Sequence, residues 1–422
     1  MAQSPPPLIQ NREPLSSVMP TPGESRGDGF DARQPPLRIV TPEVIEERVE
    51  VVDERSWPLR ILHAIGSAWE WVFGVFSLLI GLAFLAAIPV LSFLSLGYLL
   101  EVSGRVARTG RLRDGFVGVR KAARVGTIVL GTWLMLLPLR LISSYWYSAS
   151  LIDPDSGVTR GWRIFLVVAT TLMVLHIVWA WFRGGRLRHF FWPAPVRFLR
   201  TLFQRGQLTA ARDALWEFVV GLRLPYYFWL GLRGFAGAVA WLCVPLLLII
   251  AALHVGGPGG FLLGFVGAVL LAIVLFYLSF LQTNFAVENR LVAMFDVGVV
   301  RGQFQRAPIA FWFSLLVTLA FALPLYLLKI ELTPRQATWL PALVFVAFIA
   351  PARLLTGWAV GRARKRSEPR FVLFRWLAWF VEFPVIGAYI LIVFITPYIV
   401  WYGRWGLLEQ HAFLLPVPFF GR

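Results

Sequence analysis

The sequence predicts an all-α, polytopic transmembrane helical bundle, and three observations support that prediction. Of 422 residues, 58% are hydrophobic and only 15% are charged, whereas about 25% are charged in an ordinary soluble domain. The apolar residues form about eight long runs, which favour transmembrane helices over the short alternating segments of a barrel. The connections between the runs alternate between many and few basic residues, as expected of a multi-pass protein.

The chain begins with a polar, acidic tail, residues 1–56, which the composition predicts to be disordered. It contains proline clusters and few apolar residues to offset the entropy of ordering. An acidic stretch at residues 42–52 could fold against a protein partner, but a solvated linker is the simpler interpretation. No signal-peptide pattern precedes Trp71, so we expect the tail to stay on the mature protein.

The predicted transmembrane domain covers residues 57–402, and a short C-terminal tail covers residues 403–422. Most apolar runs are near the roughly 20 residues that a bilayer-spanning helix needs. The predicted spans are residues 71–100, 125–141, 164–182, 235–253, 261–285, 310–328, 339–360 and 383–402. The first run would form a helix of about 45 Å if unbroken. It either crosses once or turns back near Pro89 as a hairpin, and we favour the hairpin because it spares export of the tail.

Basic residues predict the orientation. From residue 101 onward, successive connections carry 7, 2, 9, 0, 3, 2 and 6 Lys plus Arg residues. Connections rich in Lys and Arg stay in the cytoplasm, which places the C-terminal tail outside. Only three of the 40 basic residues are lysines, which suggests a GC-rich bacterial genome. We therefore expect the chain in a bacterial inner (cytoplasmic) membrane.

Three ionisable residues lie in or beside apolar runs, where charge is costly and indicates function by default. His176 could relay protons, although a hydrogen bond to a neighbouring helix is the simpler role. Arg353 shares a helical face with Gly357 and Gly361, which would let another helix approach closely. Glu382 is the acidic candidate for the counter-charge of Arg353, although Arg375 lies on the same helical face as Glu382 and competes for it. A structural ion pair is favoured over a transport site.

A polar cluster marks the inner end of the fifth apolar run and the loop after it. Asn284 and Glu288 are four residues apart and should share a helical face. The cluster continues with Asn289, Arg290 and Asp296. It predicts either a cytoplasmic gate or partner-docking site, or a polar helix end that caps itself, which we favour.

The connection after His176 interleaves arginine with aromatic residues and predicts interfacial helices at the headgroup level. An apolar stripe from Leu208 to Leu222 indicates one such amphipathic helix. The arginines predicted to contact anionic lipid headgroups are Arg183, Arg186, Arg188, Arg197 and Arg200. Because the arginines lie between apolar runs, lipid explains the net charge of +17 better than nucleic acid does.

No catalytic or nucleotide-binding motif is present, so the sequence does not predict an enzyme, and it predicts no cofactor and no metal site. The single Cys243 excludes an intramolecular disulfide. Prolines in apolar runs, at positions 89, 138, 245, 324, 351 and 397, resemble the broken helices of transporters. They favour a permease or transport-associated subunit of unknown substrate. The alternatives are a non-catalytic membrane scaffold or interaction protein and, with least support, a lipid-modifying enzyme.

Overall fold

A computed structural model describes residues 57–194, 207–321 and 339–399, and this part of the chain is α-helical and contains no strand. Two short 3₁₀ turns, Leu112–Gly115 and Leu291–Met294, connect helices. The α-helices are α1 (Trp57–Ala86), α2 (Ser92–Thr109), α3 (Val119–Ile152), α4 (Gly157–Phe182), α5 (Leu187–Phe191), α6 (Gln207–Val220), α7 (Leu224–Val255), α8 (Gly257–Glu288), α9 (Val297–Arg306), α10 (Pro308–Ala320), α11 (Trp339–Arg364) and α12 (Val372–Ile399).

Seven of the described helical segments are long and apolar enough to cross a membrane, which confirms the predicted all-α membrane bundle. The helices are longer than most predicted spans, because polar and aromatic end residues continue the helix beyond the apolar run. The predicted run at 125–141, for example, belongs to the helix Val119–Ile152. The run at 310–328 is described only through α10 and Phe321, and both predicted tails lie outside the described residues.

The apolar run at residues 71–100 is divided between two helices. α1 ends at Ala86 and α2 begins at Ser92, with Pro89 in the turn between them. The Trp71 ring of α1 packs edge-on against Phe116, with ring centroids 5.1 Å apart. Phe116 follows soon after α2, so the chain runs away from Trp71 along the rest of α1 and comes back to the same height in the bundle at the end of α2. The two helices therefore form a hairpin.

α2 is the central helix of the bundle and packs against α1, α7, α8 and α11. Glycines permit this close packing. A β-carbon on Gly97 would collide with the backbone of Tyr227 in α7, and one on Gly104 would lie 2.9 Å from the Ala286 carbonyl of α8. Small residues at helix contacts let backbones approach closely in membranes.

The described parts of the four connections richest in basic residues lie on one side of the bundle, here called the basic side. Lys121 Nζ donates to the Gly221 carbonyl at 2.7 Å and joins the first connection to the one before α7. Arg366 Nη1 donates to the Arg306 carbonyl at 3.2 Å, and Lys365 packs against the loop that follows α2. The connections that are rich in basic residues in the sequence therefore lie together on one side of the structure.

The proline residues do not break the helices as the sequence analysis expected. Pro138, Pro245 and Pro351 lie inside the continuous helices α3, α7 and α11. Neighbouring helices accommodate such prolines in membranes. Of the six prolines singled out in the sequence, only Pro89 lies between two helices, Pro397 lies within α12, and Pro324 lies outside the described residues. The proline pattern therefore provides no broken-helix argument for transport.

α3 and α4 form a hairpin at the periphery, in contact with the bundle mainly through α1. In the most apolar 18-residue segment of each helix, the rest of the protein buries only 11% of α3 and 17% of α4. Phe190 of α5 fills a small core with Ile177 and Ala180 of α4. The exposed apolar faces of this hairpin are suited to contact with lipid.

Candidate functional site

Close packing of α11 on α2 positions Arg353 inside the bundle. A β-carbon on Gly357 would collide with the Ser103 carbonyl of α2, and one on Gly361 would lie 3.1 Å from the Val106 carbonyl. Arg353, one helical turn before Gly357, is only 3% exposed. The predicted glycine face of α11 is therefore a packing surface, and it brings a charged side chain to membrane depth.

The partner of Arg353 is a neutral amide. Arg353 Nη2 donates to Gln282 Oε1 of α8 at 2.6 Å. A guanidinium can only donate, so the oxygen of Gln282 must face it and the amide nitrogen is left as a further donor. Arg353 Nη1 and Gln282 Nε2 are buried and have no hydrogen-bond partner among the described residues. Two polar donors are therefore available for an acceptor.

A small cavity adjoins Arg353 between α8, α10 and α11. Ser279, Thr318 and Thr356 contribute to its wall, and its volume is enough for about one water molecule. Thr318 Oγ1 and Thr356 Oγ1 donate to backbone carbonyls of their own helices, at 2.7 and 3.0 Å. The guanidinium thus lies beside a small cavity whose wall is mostly apolar, since Phe321, Ile349 and Ala352 also line it.

Glu382 is not the counter-charge of Arg353, which corrects the predicted ion pair. Both residues are 3% exposed, but no ion pair of 4 Å or less joins these two described groups. Glu382 lies on α12 and interacts electrostatically with Tyr277 of α8, and its Oε2 has no hydrogen-bond partner among the described residues. α8, rather than α12, supplies the side chain that reaches Arg353.

His176 holds α4 to α5. Its Nε2 is 2.5 Å from the Phe190 carbonyl oxygen, a contact between α4 and α5 that accounts for the polar side chain within an apolar helix. This contact agrees with the simpler of its two predicted roles, and the proton-relay hypothesis stays a prediction.

The predicted polar cluster surrounds the turn between α8 and α9. Asn284 is fully buried, and its Nδ2 donates to the Ala293 carbonyl at 3.1 Å. Glu288 instead pairs with Arg290 at 2.6 Å, so Asn284 and Glu288 contact different partners. Asn289, at a φ of 55°, ends α8, and Asp296 accepts a hydrogen bond from the Val299 amide at the start of α9. The residues thus cap and connect two helices.

A second polar junction, which the sequence analysis missed, lies at the basic end of α2. Glu101 Oε1 is 2.6 Å from Arg108 Nη2, and Glu101 Oε2 accepts a hydrogen bond from the Tyr226 hydroxyl at 2.8 Å. Arg108 also donates to the Ala286 carbonyl at 3.0 Å. These bonds join α2 to α7 and α8. The available signal was the spacing of seven residues, which puts Glu101 and Arg108 on one helical face.

The predicted headgroup arginines have different environments. Arg183 donates to the carbonyls of His189 and Trp192, and its guanidinium lies 5.7 Å from the centroid of the Trp179 ring. Arg186 and Arg188 are exposed, whereas Arg197 and Arg200 lie outside the described residues. Partial burial and then the neighbouring arginines lower the pKa of the His189 imidazole. Arg183 is therefore engaged within the fold.

No protein-family model matches the chain, and neither a curated protein sequence nor a solved structure matches it. The described helices define the class as a multi-pass membrane protein.

Proposed function

We propose that this chain is a permease or transport-associated subunit for a small anion, with Arg353 as the binding charge. The observation that supports the proposal is a buried arginine beside a small cavity, with no anionic partner among the described residues and with one donor nitrogen unpaired among them. Ionisable residues at membrane depth are expensive and mark ion or substrate pathways. A small anion would compensate the charge and accept the unpaired hydrogen bonds.

The charge of Arg353 is the decisive feature, because a neutral side chain would pack in this position at lower cost. Removing a charge from water costs several kcal/mol in practice, and an amide dipole offsets only part of that. Helices α8, α10 and α11 surround the cavity, so a rearrangement of these helices would open it to either side. We further propose that the basic side faces the cytoplasm of a bacterium and that the bilayer is its inner membrane.

The test is anion flux into proteoliposomes that contain the purified full chain, with chloride, nitrate, phosphate and sulfate as solutes. We expect flux of at least one of these anions, and at least a tenfold loss in Arg353→Gln. The matched control is Arg364→Gln, which removes an exposed charge from the same helix and should retain the flux. Equal flux in both variants, or none above protein-free vesicles in the unmodified chain, would contradict the proposal.

A scaffold role is the second candidate, and the exposed α3–α4 hairpin favours it. Of the seven candidate spans in the described part of the chain, Val119–Ile152 is the least buried, which leaves an apolar face free for a partner helix. Cross-linking in native membranes after Val129→Cys, at an exposed position of α3, tests this role. One defined cross-linked partner would support the scaffold, whereas lipid contact alone would leave the hairpin unlinked and contradict it.

A further inference from the structure

A wide groove opens at the basic side between α1, α3, α5 and α6. Its volume is about 720 Å³, within the range of roughly 300–1,000 Å³ that is typical of small-ligand sites. We call it the basic groove. Among the described residues, its charged lining consists of Arg120, Lys121, Arg124 and Arg186, against a single carboxylate, Glu70.

Three of these cations have no charge partner among the described residues. The side chains of Arg120, Arg124 and Arg186 form no hydrogen bond or ion pair with another described residue, and all three are exposed. Lys121 differs, because its Nζ donates to the Gly221 carbonyl. The fold thus brings three guanidinium groups, unpaired within the described part of the chain, from α3 and the start of α5 to one concave surface, where their mutual repulsion favours a bound anion.

The groove lies where the polar connections meet the lipid-facing helices. After Arg124, helix α3 continues with the exposed apolar residues Val125, Val129 and Leu130. Leu187 is also exposed at the groove wall. Exposed apolar residues next to arginines are typical of the headgroup level of a bilayer. A phosphate oxyanion matches the planar, bidentate donors of arginine.

We propose that the basic groove is a binding site for a phosphate group, presented by an anionic lipid headgroup or by free phosphate. The phosphate oxygens are bound by Arg120, Arg124 and Arg186. Lys121 fixes the position of the turn after α6 through its hydrogen bond to the Gly221 carbonyl. The three arginines of this site differ from the headgroup arginines that the sequence predicts, since only Arg186 belongs to both groups. The site is separate from the Arg353 cavity, so its test is independent of the proposed transport activity.

The test compares the full chain with the triple variant Arg120→Gln, Arg124→Gln, Arg186→Gln, both purified in detergent. Native mass spectrometry measures retained phosphatidylglycerol against phosphatidylcholine, and a separate titration measures inorganic phosphate. At about 1 kcal/mol for each arginine, the triple variant should bind the phosphate ligand about 100-fold more weakly. Loss in the lipid arm alone identifies a headgroup site, and loss in the phosphate arm identifies a site for the free ion.

The control variant removes the same charge from the basic side outside the groove, through Arg111→Gln, Arg113→Gln and Arg364→Gln. These arginines are exposed, and we expect less than about a threefold change. A charge-preserving variant, with lysine at positions 120, 124 and 186, should bind more weakly than the unmodified chain but more tightly than the glutamine triple, because it keeps the charge and loses the bidentate donors. Its binding also shows that the groove still folds. Equal loss in the groove and control triples, or no specific retention of either ligand by the unmodified chain, would overturn the proposal.

Discussion

Arg353 on α11 and Gln282 on α8 are joined by a hydrogen bond of 2.6 Å between side chains that are 3% and 0% exposed. This contact places a formal positive charge opposite a neutral group, 71 positions away in the sequence. The amide oxygen accepts a hydrogen bond from the guanidinium but cannot neutralise its charge. The pair therefore leaves both a charge and hydrogen-bonding capacity for a further group.

Gln282→Glu should stabilise the chain and stop anion flux. The carboxylate is nearly isosteric with the amide and would form a buried ion pair with Arg353, which competes with any bound anion. We expect the free energy of unfolding in detergent to rise by about 1–2 kcal/mol and flux to fall at least tenfold. Gln305→Glu, at a partly exposed position of α9, is the control and should change neither. Unchanged flux in Gln282→Glu would argue against Arg353 as the binding charge.

Glu101→Gln should destabilise the junction of α2, α7 and α8. It removes the ion pair with Arg108, whose side chain is 37% exposed while that of Glu101 is 11% exposed. Partial solvation limits the expected loss to about 1–2 kcal/mol, measured by thermal or denaturant unfolding in detergent. Glu288→Gln removes the more exposed pair with Arg290 and should cost less than about 0.5 kcal/mol. Similar losses in the two variants would contradict the described burial.

Gly357→Ala should destabilise the chain although alanine is the better helix former. The added methyl group would collide with the Ser103 carbonyl, a backbone atom that cannot rotate away. Overpacking of this kind costs about 1–3 kcal/mol. Gly387→Ala provides the contrast, because nothing lies within 4 Å of its added carbon and the substitution should raise stability by about 0.5–1 kcal/mol. A stabilised Gly357→Ala variant would exclude the close approach of α11 to α2.

The α1–α2 hairpin predicts that Glu70 and Arg113 are accessible from the same side of the membrane. In a Cys243→Ser background, Glu70→Cys and Arg113→Cys should react with an impermeant maleimide from one side of sealed vesicles. Asp153→Cys, in the turn between α3 and α4, should react from the other side. If Glu70→Cys instead reacted from the same side as Asp153→Cys, residues 71–100 would cross the membrane once.

The predicted sites show where sequence reasoning was sufficient and where it was not. Arg353 and the small residues beside it were found from the composition of one helix, because a charge in an apolar run is visible locally. Its predicted partner Glu382 was wrong, because the choice between α8 and α12 depends on helix packing. Glu101 was missed, since it stands at the edge of an apolar run and its burial requires α7 to cross α2.

The sequence by itself determined that the chain is an all-helical membrane protein and where most of its spans lie, because the length of an apolar run and the charge beside it are local properties. Tertiary structure decided which side chains meet. Two contacts join residues on separate helices, those of Arg353 with Gln282 and of Glu101 with Tyr226. The basic groove likewise brings together arginines from separate parts of the chain, Arg120 and Arg124 on α3 and Arg186 at the start of α5. Their distances depend on close packing at glycines such as Gly97 and Gly357, which no periodicity within one helix can reveal.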